Sequence, residues 1–150
     1  MTARFDAKEA LYPLHGAVGN PQLSSHLLDD NLLNGAVQYG DRGYTFSSIP
    51  GSLSGAAWIR TANSSKAYTS NPTVTFSINV TATVYVAVDS RVGKPSWMGS
   101  GWTPSGLTLT DNQVSGKNTF VLYQQTFLAG TVSLGPAGNT SDNMYTVIVQ

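Results

Sequence analysis

"TVTFSINVTATVYVAVD", residues 73–89, alternates apolar and polar side chains almost without a break. In an extended chain successive side chains point to opposite faces. Val74, Phe76, Ile78 and Val80 therefore share one face, and Thr73, Thr75, Ser77 and Asn79 the other. The second half repeats the pattern, with Val84, Val86 and Val88 inward and Tyr85 and Asp89 outward or on a second surface. Helical packing would need a period near 3.6, whereas a period of two demands strands.

Outward from this stretch the same texture continues. "GYTFSS" (43–48), "AAWIRT" (56–61), "GLTLTD" (106–111), "TFVLYQQTF" (119–127), "GTVSLG" (130–135) and "NMYTVIV" (143–149) are short candidate strands bounded by Gly, Pro, Asn or Ser. Eight such strands without helical pattern between them predict an all-β fold. An antiparallel β-sandwich of jelly-roll type is the arrangement expected.

The chain of 150 residues suffices for one domain with its own core. It contains no cysteine, which excludes disulfide scaffolds, thiolate metal sites and cysteine nucleophiles. Eight basic and eight acidic side chains balance and form no blocks. The basic stripe that nucleic-acid binding requires is therefore missing. No apolar run is long enough for a membrane helix or a signal peptide, so a chain starting natively at Met1 would not use that export route. Charged residues make up only 11%, leaving a surface of Ser, Thr, Asn, Gln and Gly. Such a surface suits secreted modules and subunits packed against neighbours.

Residues 1–38 differ from the sandwich expected over 39–150. They hold both histidines (His15, His26), the lone glutamate Glu9 and the prolines of "YPLHGAVGNPQ", which reads as an extended arm. Within "QLSSHLLDDNLLNGAV" a short helix is expected, capped by Ser24 or Ser25, with Leu27, Leu28, Leu32 and Leu33 as its apolar stripe. A long coil-rich arm must wrap its own domain or dock on a neighbour.

"DRGYTFSSIPGSLSGAAWIRTANSSK" (41–66), "TVYVAVDSRVGKPSWM" (83–98) and "FVLYQQTFLAGTVSLGPAG" (120–138) with "NMYTVIV" occur in an order that carries a resemblance. The region from about 41 to 150 resembles the non-catalytic, carbohydrate-binding-like β-sandwich modules appended to bacterial pectate-lyase-like and other secreted polysaccharide-degrading enzymes. The resemblance implies a carbohydrate-binding-like fold. This chain departs from the family pattern at Ser64 and Ser65, where acidic residues follow "RTAN", and at Val88, where a tyrosine precedes the aspartate.

Catalytic machinery is not evident. Glycosidase chemistry needs two positioned carboxylates, and Asp41, Asp89, Asp111 and Asp142 fall at expected strand ends and turns. The histidines lack metal-ligand spacing, and "GSGWTPSG" lacks the lysine and helix of a phosphate loop. The expectation is a protein that is not an enzyme, with no catalytic residue and no cofactor. A structural calcium ion needs six to eight oxygens, and Asp29, Asp30 and Asn31 offer a few, so that site is left unassigned.

Two tryptophans stand in the polar loop "KPSWMGSGWTPSG" (94–106). Trp97 and Trp102 point opposite ways if the loop is extended. Either two of the three tryptophans are plugs of the core or its edge, with indole N–H groups on backbone carbonyls, or they form a platform for sugar rings. In the second case Trp102 is the stacking ring and Arg60, Asn63, Lys66 and Arg91 are the donors. Arg60 and Arg91 could equally pair with strand-end aspartates such as Asp89.

Two functional readings follow. The first is a decoration subunit on the exterior of a bacteriophage capsid or tail. It would be oligomeric or bound to capsid or tail proteins through the arm, and could touch surface glycans. The alternative is a glycan-binding module of a secreted bacterial polysaccharide-degrading enzyme. Neither involves nucleic acid or a membrane.

Overall fold

The computed structural model describes residues 27–29 and 31–150. Among these residues nine strands follow one another: β1 (Leu27–Asp29), β2 (Phe46–Ser48), β3 (Ala57–Arg60), β4 (Val74–Ile78), β5 (Ala82–Asp89), β6 (Thr103–Asp111), β7 (Thr119–Phe127), β8 (Gly130–Leu134) and β9 (Thr146–Val149). Among the described residues the helical segments are two short 3-10 turns, Gly51–Leu53 and Asn63–Ala67. The protein is an antiparallel β-sandwich. Seven strands form one sheet in the order β1-β3-β9-β5-β7-β6-β2, and β4 pairs with β8 in a second. All eight strands expected from alternation are present, and β5 and β7 keep the bounds read from the sequence.

The period-two pattern explains the packing. Val74, Phe76 and Ile78 of β4 and Val132 and Leu134 of β8 face Val84, Val86 and Val88 of β5 and Val147 and Val149 of β9 across the inter-sheet core. The opposite face of the large sheet is covered too. There Trp58, Ala87, Leu109, Phe120, Leu122 and Ile148 pack with Phe46, Leu32 and Leu53. A strand buried on both sides loses its polar face, which is why "TVIV" of β9 is buried at every position.

The leucine-rich segment departs from expectation. Leu27–Asp29 is a strand, not a helix, and extends the sheet beyond β3 with Leu27 opposite Arg60 and Asp29 opposite Trp58. Its expected partners in a helical stripe separate: Leu32 is fully buried in the second core, while Leu33 is 42% exposed. The reason is the open edge of β3, whose unpaired backbone groups a three-residue strand can satisfy. A helix of two turns would leave that edge bare. Ser24 and Ser25, proposed as its cap, lie outside the described residues, as do His15 and His26. The described part of the expected arm is thus built into the sandwich. Gln38 is fully buried and donates from Nε2 to Thr146 Oγ1 at 3.2 Å.

Candidate functional site

The tryptophan loop closes one end of the inter-sheet core. It is not extended: the Met98 N–H donates to the Pro95 carbonyl at 3.0 Å and that of Trp102 to Gly99 at 3.1 Å. Two turns so placed bring Trp97 and Trp102 edge to face, centroids 5.8 Å apart, instead of on opposite sides. Trp102 also meets Phe127 at 5.8 Å, and Trp97 meets Tyr145 at 6.3 Å. The Trp97 indole N–H donates to the Pro136 carbonyl at 2.8 Å. Its ring lies so close to Gly135 that a Cβ there would stand 2.5 Å away. Trp102 is only 6% exposed and offers no open face to a sugar. Trp58 is fully buried, edge to face with Phe46 at 5.2 Å, with the Arg60 guanidinium 5.4 Å from its ring centre. Its indole nitrogen has no hydrogen-bond partner among the described residues. Trp97 and Trp102 plug the end of the inter-sheet core, and Trp58 belongs to the second core.

Asn63, Lys66 and Arg91 meet around the loop joining β8 to β9. The 3-10 turn carrying the first two is held by Asp41, whose oxygens accept the Asn63 N–H at 2.6 Å and the Ser64 N–H at 3.0 Å. Burial pushes the Asp41 carboxyl up, but the amides of Ser64 and Asn63, the Ser64 hydroxyl and the Arg42 charge outweigh it and leave it below the ordinary value. Asn63 is buried, and its Oδ1 accepts the Met144 N–H at 2.8 Å. Lys66 Nζ donates to the Asp142 carbonyl at 2.6 Å. Burial and the nearby Arg42 charge lower the Lys66 ammonium, partly opposed by Asp142 and Asp41.

Arg91 is tied down more firmly. It grips Asp89 with Nε at 3.0 Å and Nη2 at 2.6 Å, and reaches Asp142 with Nη1 at 3.1 Å. Asn143 Nδ2 adds a bond to Asp89 at 2.8 Å. Burial pushes the Asp89 carboxyl up, yet the bonds from Arg91 and Asn143 hold it below the ordinary value. Asp111 goes the other way. Burial raises it and the Gln113 amides, at 3.0 and 2.6 Å, offset this only in part.

One cleft opens beside this cluster, about 360 Å³ in volume. Lys66, Ala67, Tyr68 and Thr69 form one wall, and Pro136, Gly138, Asn139 and Thr140 the other. Asn139 braces its wall by accepting the Asp142 N–H at 2.8 Å and donating to the Asn143 carbonyl at 3.1 Å. A second hollow, about 340 Å³ beside Leu33, Ile49 and Gly51, offers one side-chain amide, and Asn34 already accepts the Ile49 N–H at 2.9 Å. The first cleft joins an aromatic ring, a cation, an amide and two hydroxyls.

Of the expected ligand residues, Lys66 lines this cleft, and Asn63 and Arg91 support it from behind. Arg60 lies over Trp58, and Trp102 is in the plug. Sequence reasoning missed Tyr68, a single aromatic among "NSSKAYTSNP", and Asn139, whose sequence neighbourhood reads only as turn. None of the four sandwich aspartates lines the cleft. Among the described residues no three His, Cys, Asp or Glu side chains cluster to hold a metal ion. Of the residues weighed for calcium, Asp30 lies outside the described residues and Asn31 is exposed.

No family model matches the chain, and no curated protein matches it in sequence. Two solved structures resemble it in shape. A beta-glucuronidase from glycoside hydrolase family 2 superposes over 83% of this chain with a TM-score of 0.72 at 21% identity. A GH138 enzyme targeting pectin rhamnogalacturonan II superposes over 83% with a TM-score of 0.56 at 15% identity. The matched region spans 13% of the first enzyme and 15% of the second. The sandwich is therefore a fold that recurs as a small part of these two glycoside hydrolases.

Proposed function

We propose that this protein is a non-catalytic, carbohydrate-binding module that works beside a polysaccharide-degrading catalytic domain outside the cell. The cleft between Lys66–Thr69 and Pro136–Thr140 is its glycan groove. The observation that carries the reading is the shared fold: a sandwich of this shape forms 13% and 15% of two glycoside hydrolases. The state of the carboxylates supports the non-catalytic part. General acid–base work needs two acids facing one substrate. Here Asp89 and Asp142 share Arg91, Asp41 grips backbone amides and Asp111 is closed off by Gln113.

In the groove Tyr68 would offer its ring to the C–H face of a sugar, while Lys66, Asn139, Thr69 and Thr140 bond its hydroxyls. Asn63 and Arg91 act as positioning residues, through Met144 and Asp142 respectively. The other reading, a subunit on a phage exterior docking through residues 1–38, draws no support from the likenesses, which favour the enzyme module.

Affinity electrophoresis of the whole chain through gels containing different plant and bacterial polysaccharides tests the proposal. At least one polysaccharide should retard the protein, and Tyr68→Ala should weaken that binding at least about tenfold, or 1.4 kcal/mol. Unretarded migration on every polysaccharide would overturn it.

A further inference from the structure

The groove holds a single formal charge, and it is positive. Lys66 supplies it, whereas Tyr68, Thr69, Asn139 and Thr140 are neutral. The nearby acids are committed elsewhere. The Asp142 carboxylate is on Arg91 at 3.1 Å, and that of Asp41 holds the Asn63 and Ser64 amides. The Lys66 ammonium gives one donor to the Asp142 carbonyl at 2.6 Å. An ammonium has three, so two are left for a ligand. That bond ties the head group to the β8–β9 loop beside the groove.

From this juxtaposition we infer that the groove selects saccharides bearing an anionic substituent, a carboxylate or a sulfate, over neutral ones. The inference rests on the reading of the groove as a glycan site. A lysine acts as a point charge without the fork that fits a planar carboxylate, so both substituents satisfy it. A neutral sugar would still stack and hydrogen-bond, but would gain nothing from the Lys66 charge, which Asp142 and Asp41 offset only in part.

Calorimetric titration of the whole chain with a galacturonate oligomer, a sulfated galactan oligomer and a neutral galactan oligomer provides the test. At low salt the anionic ligands should bind about fivefold more tightly, the upper range for a solvent-exposed ion pair. Added salt should erode that advantage. Lys66→Gln should bring the series level, and Lys66→Arg should preserve the order. A preference confined to uronate or to sulfate would support the inference and identify the substituent. Equal binding of all three oligomers to the native chain at low salt would overturn it and leave the glycan reading standing. Binding of none would overturn both. The salt series needs no variant, so poor folding of a Lys66 substitution would not decide the outcome.

Discussion

The tryptophan loop and the Tyr68 groove use similar materials to opposite ends. Both are polar loops carrying an aromatic ring, the first rich in glycine and serine and the second in serine and asparagine. In residues 94–102 the rings turn inward, meet each other and close the core against Gly135. In residues 66–69 one ring lies along an open cleft beside a cation. The difference comes from what stands opposite. Trp97 lies against the Gly135 backbone and its indole reaches the Pro136 carbonyl, whereas Tyr68, which also packs on the core, lines a cleft with the Pro136–Thr140 loop, whose Asn139 N–H is bonded to the Lys66 carbonyl at 3.4 Å. An aromatic in a polar loop is thus not by itself a sign of a ligand; the facing wall decides.

Removing the plug should give the largest effect. Trp97→Ala loses the contacts with Trp102 and Tyr145 and the bond to Pro136, and should cost about 3 kcal/mol in urea denaturation, the lower range for aromatic truncation. Because the indole also holds the Pro136 carbonyl of the groove wall, glycan binding per folded molecule should fall by less than the tenfold expected for Tyr68→Ala. If the plug instead proved dispensable and its loss abolished binding, the contrast would reverse.

Arg91→Ala comes next, at about 2–3 kcal/mol, because it strands the Asp89 carboxylate, 1% exposed, with Asn143 as its side-chain partner. The figure is below that for a fully buried pair because Arg91 itself is 29% exposed. Asp89 is depressed in the folded state, so its stabilisation is full above the unfolded carboxylate value and is lost as pH falls through the folded one. Denaturation midpoints measured from pH 7 downward should show that acid loss in the native chain and much less of it in Arg91→Ala. Asp111 is raised by burial, so its charge opposes folding at neutral pH and the penalty relaxes as pH falls through the raised value. Asp111→Asn should accordingly raise the midpoint at pH 7, with the gain fading in acid.

Gly135→Ala sharpens the comparison from the other wall. A methyl group 2.5 Å from the Trp97 ring must displace an indole that is packed on three sides, for about 1–2 kcal/mol. Smallest in stability is Tyr68→Ala, about 1 kcal/mol, for a half-buried ring that both lines the cleft and packs against the inter-sheet core. Its signature should be lost glycan binding with only a small shift of the urea midpoint, the reverse of Trp97→Ala.

Much of the fold could be read in advance because alternation is a local property. Phe76 between Thr75 and Ser77 declares its strand without reference to anything distant. Leu27–Asp29 could not be read this way, since its conformation answers to the free edge of β3, some thirty residues later in the chain. The site was legible only in fragments. Lys66 stood out as a cation beside asparagine and serine, but that Asp41, Asp142 and Asn143 would gather around Asn63 and Arg91 depends on where three loops end. Trp102 was attractive for its type alone, and two tight turns cancelled the extended geometry assumed for it.

The grip of Asp41 on two successive amides has one more consequence. With one lip fastened to the 40–43 loop and the other cross-bonded by Asn139, both sides of the groove lose their configurational freedom when the chain folds, before any encounter. A sugar bound there as proposed would meet a finished mould, and its affinity would not be diminished by the cost of freezing a loop.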